Sequence, residues 1–303
     1  MNTRDFLPSL SGDVAVKVYF QSVYRIFFIP SRAVVILALL FLVSIFWVLS
    51  GKSFFIEKKL DNSSVQNCIL SAHEFFALQK EKVLSFYCEK YKVKDVRRLS
   101  DYQKLELSKA LSDLYITSLL PFLEVPMHVY YFLVDTTQVN KIQTALMEQM
   151  KYNIPASVTL AQAAIETSYG RKVIGNNYFG IKAKTQKNNQ FLTQEFFTEK
   201  ELQQNRHRVL RYKKVRHDLY ECTVQDRFEI YATAWESFRA RSEYLTQNPR
   251  YASLFEKKNF HYSIWAEKLG SVHRGGLGYA TNPNYGNLMK ELIERYAWYL
   301  LDF

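Results

Sequence analysis

Asn153-Ile154-Pro155-Ala156-Ser157-Val158-Thr159-Leu160-Ala161-Gln162-Ala163-Ala164-Ile165-Glu166-Thr167-Ser168-Tyr169-Gly170 decides how this chain is read, because it spells a whole helix with a single carboxyl group near its end. Pro155 fits the first helical turn, where its missing N–H costs nothing, and Gly170 suits a left-handed stop. The residues between them are mostly good helix formers. At 100° per residue, Ser157, Val158, Leu160, Ala161, Ala164 and Ile165 cover a broad apolar or small arc, while Thr159, Gln162 and Glu166 share one narrow polar stripe. A helix buried on most sides therefore holds Glu166 toward one cleft. Partial desolvation there raises the pKa of the acid, as a proton donor to a leaving-group oxygen needs near neutral pH. The competing reading of a lone helical Glu is a solvated surface charge, so the flanking sequence has to decide.

The helix runs into Gly175-Asn176-Asn177-Tyr178-Phe179-Gly180-Ile181-Lys182, a turn-rich segment ending in apolar residues. From Ile154 to Lys182 the chain resembles the glucosaminidase family of peptidoglycan hydrolases (glycoside hydrolase family 73), which includes autolysins and the hydrolase domain of flagellar rod-assembly proteins. Two further segments agree, in the same order: Phe228-Glu229-Ile230-Tyr231-Ala232-Thr233 through Asn248-Pro249-Arg250-Tyr251, and Gly278-Tyr279-Ala280-Thr281-Asn282-Pro283-Asn284-Tyr285. Three ordered matches are far more specific than one short motif. The resemblance covers roughly residues 145 to 303. It implies a mainly helical, lysozyme-like α+β domain with a small β lobe.

Glycoside cleavage needs an acid on the bridging oxygen and a group that stabilises or captures the positive sugar carbon, usually a second carboxylate. Glu166 takes the first role by position. For the second, the resemblance offers Glu195, in Thr193-Gln194-Glu195-Phe196, which matches the family's Thr-x-Glu strand. Asp218, Glu221 and Asp226 are rivals for it, and an N-acetyl group on the substrate would lower the demand on any of them. The resemblance also implies that Tyr279 lines the cleft opposite the catalytic helix, where its phenol would donate to a developing charge. A Tyr packing a Gly-rich turn is the plainer alternative. Asn282 stands where the family often has Asp, which removes a charge from that segment. Tyr178 and Phe179 read as a sugar-stacking wall and Asn177 as an acetamido partner, against Phe179 in the core and Asn177 as a turn former. Gln162 and Tyr285 complete the candidate substrate-binding set. Trp235 and Trp265 read as core.

The 303 residues suffice for one ordinary domain with appendages. With 40 Lys and Arg against 29 acidic residues, the net charge of +11 favours an anionic partner: nucleic acid, a phospholipid surface or an acidic wall polymer. The run Ala33 to Leu49 holds 17 residues without a charge and spans about 25 Å as a helix, enough with Ser50 and Gly51 to cross a hydrocarbon core of about 30 Å. About thirty residues precede it and no small-residue cleavage site closes it, so residues 33–51 read as an uncleaved signal anchor behind a cytoplasmic tail, 1–32. Arg4, Lys17, Arg25 and Arg32 precede the span and Lys52, Lys58 and Lys59 follow it, a weak orientation bias. The implied substrate is what places the C-terminal bulk outside a bacterial inner membrane.

Residues 52–135 read as a helical stalk or accessory region, with apolar repeats over Ala72 to Glu89 and Lys104 to Leu120 broken by Pro121 and Pro126. The hydrolase domain follows over 136–303: a lead-in helix to Met150, the Glu166 helix, strands over Phe191–Thr198 and Arg206–Cys222, and helices from about Thr233, over Tyr262–Lys268 and over Tyr285–Leu300. Cys68, Cys88 and Cys222 form no metal or redox pattern, and a Cys68–Cys88 bridge stays open beside free thiols. The six His are scattered without ligand spacing, no nucleophile elbow is present, and no cofactor or metal is expected. Arg206, Arg208, Arg211, Lys213, Lys214 and Arg216 read as a solvated strand face that would meet peptide-stem carboxylates rather than nucleic acid.

The expectation is thus a membrane-anchored endo-β-N-acetylglucosaminidase acting on peptidoglycan strands, bound to the bilayer through residues 33–51, with no protein partner identified. A lytic transglycosylase and an inactive murein-binding tether are the alternatives, and the intact Glu166 argues against the tether.

Overall fold

Capping chemistry sets the helix boundaries. Ser100 opens one helix with a reciprocal box, its hydroxyl accepting from Gln103 N–H while the Gln103 side chain accepts from Ser100 N–H. Asn140 accepts from the N–H groups of Ile142 and Gln143 to open another, and Thr233 accepts from Glu236 N–H to open a third. A computed structural model describes residues 62–134, 140–183, 190–256 and 259–303. The candidate tail and membrane anchor, 1–51, lie outside the described residues. Among those described, no helix is long and apolar enough to cross a membrane.

In chain order the elements are α1 (Asn62–Lys90), α2 (Asp101–Ser118), α3 (Met127–Val134), α4 (Lys141–Tyr152), α5 (Ala156–Thr167), β1 (Gln190–Phe197), α6 (Glu199–Gln204), β2 (Val209–Arg216), β3 (Leu219–Arg227), α7 (Ala234–Gln247), α8 (Tyr262–Leu269) and α9 (Tyr285–Arg295). The class is α+β, mainly helical. Cys68 and Cys88 both lie on α1, so they stand about 30 Å apart along its axis, far beyond disulfide reach. They and the buried Cys222 are free thiols.

The helices share one core, and α5 runs through it. Val158, Leu160, Ala161, Ala163 and Ala164 are fully buried, and their small side chains let α4, α8, α9 and the turn Trp298–Leu301 approach closely. The accessory helices belong to the same core. Phe76 of α1 meets Tyr115 of α2 edge-on with ring centroids 5.8 Å apart, and the Tyr115 hydroxyl donates to the Tyr296 carbonyl at 2.6 Å. Lys80 of α1 donates to the Asp302 carbonyl at 2.7 Å.

Trp265 is fully buried, as its α8 position requires. Trp235, expected in the core, is instead 39 % exposed. It sits in the first turn of α7 on the outward face, and Arg239, one turn on, lies 4.7 Å above its ring.

The β lobe is a three-stranded antiparallel sheet in the order β1-β3-β2 among the described residues. Register pairs Glu195 with Cys222 and Phe191 with Asp226. Alternation therefore puts Glu195 and Asp226 on one face and Gln194, Thr223 and Glu221 on the other. Phe197, Leu202, Val209, Cys222 and Val224 make a small separate core closed by α6. The edge strand β2 is exposed along almost its whole length, and its Arg211, Lys213, Lys214 and Arg216 discourage pairing with another edge.

Candidate active site

The end of α5 puts Glu166 in its last turn. The helix stops before Gly170, since Ser168, Tyr169 and Gly170 all take left-handed backbone angles, φ 51°, 59° and 75°. Two non-glycine residues in that region cost about 1–2 kcal/mol each, and local bonds offset it. Tyr169 N–H donates to the Ala164 carbonyl at 2.8 Å, Gly170 N–H to the Thr167 hydroxyl at 2.8 Å, and Lys172 N–H to the Thr167 carbonyl at 2.8 Å. At the other end Pro155 is the cap residue rather than the first helical one. The Asp302 carboxyl serves the free N–H groups instead, accepting from Ser157 N–H at 2.9 Å and from its hydroxyl at 2.6 Å. Burial pushes Asp302 up to about 7 despite these bonds.

The polar stripe of α5 is filled by a residue that periodicity did not single out. Arg241 of α7, fully buried, donates from Nη1 to Thr159 at 3.0 Å and from Nε to the Gln162 Oε1 at 3.0 Å, with Nη2 on the same oxygen. Gln162 Nε2 then donates to the Tyr285 hydroxyl at 3.3 Å, and Tyr285 donates to Glu166 Oε1 at 2.7 Å. Burial lowers Arg241 to about 10, so it remains charged at neutral pH. Glu166 itself is half-buried. Desolvation pushes its pKa up to about 7; the Tyr285 hydrogen bond pulls the other way, the charge of Glu195 adds to the rise, and Lys182 opposes it. Gly180, at φ 62°, leaves space beside the acid, for a Cβ there would lie 3.3 Å from Glu166 Oε2.

Glu195, 9 % exposed, is held quite differently. Lys182 Nζ reaches its Oε1 at 2.8 Å and the Thr281 hydroxyl donates to its Oε2 at 2.6 Å, while Thr281 accepts from Phe196 N–H at 3.0 Å. Lys182 also pairs with Asp226 at 2.7 Å, and Arg208 with Asp226 at 2.6 Å. Burial works against the Lys182 charge, but Glu195 and Asp226 outweigh it and hold its pKa above the ordinary lysine value. The other rivals stand apart. Asp218 turns the β2–β3 hairpin at φ 50° and accepts from Glu199 N–H at 2.9 Å. Glu221 pairs with Lys213 at 2.7 Å on the far face of the sheet.

Glu166, Glu195, Gln162, Tyr279 and Tyr285 thus belong to one cluster, but several have other tasks than expected. Gln162 and Tyr285 are buried beneath the acid, fully and to 2 % exposure, so they position Glu166 rather than touch a sugar. The Tyr279 hydroxyl donates to the Phe179 carbonyl at 2.9 Å, which uses the proton expected for a developing charge and leaves its oxygen as an acceptor. The ring stacks on Tyr285 with centroids 6.4 Å apart. Asn177 spends its side chain on backbone: Nδ2 donates to the carbonyls of Ile181 and Glu229, and Oδ1 accepts from Phe179 and Ile181. Phe179 is 1 % exposed, edge-on to Phe238 at 4.9 Å, and offers no stacking face. Tyr178 is 5 % exposed, tilted against Phe238 at 5.8 Å, and lines a cavity whose walls, among the described residues, do not include Glu166. Asn282 accepts from Asn284 N–H at 2.9 Å and shapes the turn into α9.

Lys182, Thr281 and Arg241 are the residues the sequence reading missed. Arg241 had a signal: it sits with Phe238, Ser242 and Leu245 on the buried stripe of α7, where a lone cation needs partners. Among the described residues no cluster of His, Cys, Asp and Glu is suited to a metal ion.

The family model for glucosaminidases, described as mannosyl-glycoprotein endo-beta-N-acetylglucosaminidase, matches residues 142–298, just over half of the chain. The peptidoglycan hydrolase FlgJ of Vibrio parahaemolyticus is 26 % identical over 148 residues, covering 47 % of this chain and 41 % of that protein. The exo-glucosaminidase LytG of Bacillus subtilis is 21 % identical over 151 residues, 48 % of this chain and 45 % of that protein. The chain spans less than half the length of these relatives. Among solved structures, the catalytic domain of the Listeria monocytogenes autolysin Auto is similar with a TM-score of 0.38 and 21 % identity, covering 59 % of this chain and 90 % of that domain.

Proposed function

This chain belongs to the glucosaminidase family, and from that premise we propose that it is a lysozyme-like glycoside hydrolase that cleaves the glycan strand of peptidoglycan as an endo-β-N-acetylglucosaminidase. One observation carries the reading: a half-buried carboxyl with a pKa near 7 lies within electrostatic reach of a second carboxylate held by a lysine and a hydroxyl. Two carboxyls whose environments differ in this way divide the labour of glycoside hydrolysis. Glu166 protonates the glycosidic oxygen as the bond breaks. Glu195 supplies fixed negative charge against which the positive anomeric carbon develops, and the same charge helps keep Glu166 protonated until it is needed. Both Glu195 oxygens already accept bonds, so its position is set before substrate arrives.

The apolar run over residues 33–51 supports attachment to the inner membrane with the hydrolase facing the wall. Resistance of the full chain to carbonate extraction, with protease access to the hydrolase domain from the periplasmic side only, is the expected result. For the reaction, mass spectrometry of purified sacculi digested by the full chain should find new reducing-end N-acetylglucosamine. Anhydro-muramic ends would instead mark a transglycosylase, and binding without soluble product would mark a tether.

A further inference from the structure

Asp226 carries a carboxyl that the proposed reaction does not use, and one lysine connects it to Glu195. Lys182 Nζ lies 2.8 Å from Glu195 Oε1 and 2.7 Å from Asp226 Oδ2, so distance favours neither carboxylate. The backbone of this lysine is anchored beside Asp226. The Ile181 carbonyl accepts from Glu229 N–H at 2.9 Å and Ala183 N–H donates to the Arg227 carbonyl at 3.0 Å, which ties residues 181–183 to the end of β3. Asp226 is held in turn by Arg208, whose Nη1 donates to the same Oδ2 at 2.6 Å and whose Nε donates to the Asn205 side chain at 2.9 Å. The Asp226 side chain is 14 % exposed and that of Lys182 is 46 % exposed. A fixed anion therefore faces a cation on a flexible four-carbon stem.

The bond to Lys182 sets a conflict for Glu195. A carboxylate stabilises a positive sugar carbon with its charge, and an ammonium on its oxygen cancels much of that charge where it is needed. Glu195 and Lys182 alone sum to zero. Asp226 removes the conflict, because Lys182 keeps one charge-assisted bond when it gives up the other. Resting on the function proposed above, we propose that Asp226 is a positioning residue for glycoside cleavage: it retains Lys182 as positive charge develops on the sugar, and so frees Glu195 to meet that charge uncancelled. Glu166 on the helical body feels the same exchange, since Glu195 raises its pKa and Lys182 lowers it.

Steady-state kinetics of the full chain on purified peptidoglycan strands test this through a double-mutant cycle of Asp226→Asn and Lys182→Met. Asp226→Asn should lower kcat about tenfold with KM changed by less than about twofold, because Lys182 then stays on Glu195. It should also move the alkaline limb of the pH–rate profile downward, as more of the charge that holds the Glu166 pKa up is cancelled. In the Lys182→Met background the same Asp226 change should cost no further kcat, there being no cation left to share. Asp226→Glu keeps the anion and should retain most of kcat. Wild-type kcat in Asp226→Asn, losses that multiply in the double variant, or equal loss in Asp226→Glu and Asp226→Asn overturns the role of Asp226 while leaving the hydrolase reading intact. Should Asp226→Asn fail to fold by circular dichroism, Asp226→Ser replaces it under the same criteria. A wild type that cleaves no strand overturns both readings at once.

Discussion

The helical body and the β lobe each contribute a carboxyl group to the site and hold it by opposite means. Glu166 projects from a helix inside the large core, where burial and one neutral donor, Tyr285, define its surroundings. Glu195 projects from a sheet whose separate core comprises Phe197, Leu202, Val209, Cys222 and Val224, and it is fixed by Lys182 and Thr281. Both carboxyls are withdrawn from water, and what differs is the partner: no cation bonds Glu166, so desolvation disfavours its charge, whereas Lys182 and Thr281 sit on the oxygens of Glu195. The contrast separates an acid that keeps its proton from a partner paired with a cation.

The strongest attempt to break this contrast is Glu166→Gln, which should lower turnover by about 10²–10⁴-fold while leaving the fold intact. The same variant probes the burial argument. Glu166 keeps its proton to about pH 7 in the folded protein against an ordinary value of 4.5, so the folded state binds more protons than the unfolded chain between those limits. Stability should therefore fall as pH rises from 4.5 to about 7, then level off, with Asp302 adding a fall from 3.8 to about 7. In urea unfolding, Glu166→Gln should gain on the wild type more at pH 8 than at pH 5; an equal difference at both would refute the desolvated-acid account.

Glu195→Gln should lower turnover by about 10²-fold. It should also move the alkaline limb of the pH–rate profile downward, because a charge that raises the Glu166 pKa has gone. A fixed limb would mean that the lobes are electrostatically independent. Arg241→Met tests the buried support, and should cost about 2–3 kcal/mol in urea unfolding because Gln162 and Thr159 lose a charged donor. Tyr285→Phe is the mildest change. It removes a bond that favours the ionised acid, so the limb should shift upward with only a few-fold change in maximal rate.

How much was legible before the coordinates follows the same division. The Glu166 helix, its polar stripe and the strand carrying Glu195 could all be read, because apolar periodicity and Pro, Gly and Thr signals are local. What fills the stripe was hidden, since Arg241 lies 79 residues from Gln162 and no local rule links them. Asn177, Tyr178 and Phe179 read from sequence as substrate-facing because turn-rich aromatic segments often line sites. Whether such a segment faces a cleft or folds under itself depends on partners such as Glu229 and Phe238, which are distant in sequence. The early stop of α5 was missed because Ser168 and Tyr169 adopt angles usually left to glycine.

The buried guanidinium carries one last implication. Having no lone pair to offer, it forces the carboxamide of Gln162 to turn its oxygen inward, so the NH2 end must meet Tyr285 and the phenol must give its hydrogen to Oε1. The acidic hydrogen of Glu166 is then left on Oε2, the atom bordered by the bare α-carbon of Gly180. Arg241 thus orients, through two intervening side chains, the proton that Glu166 presents on the side left open by Gly180.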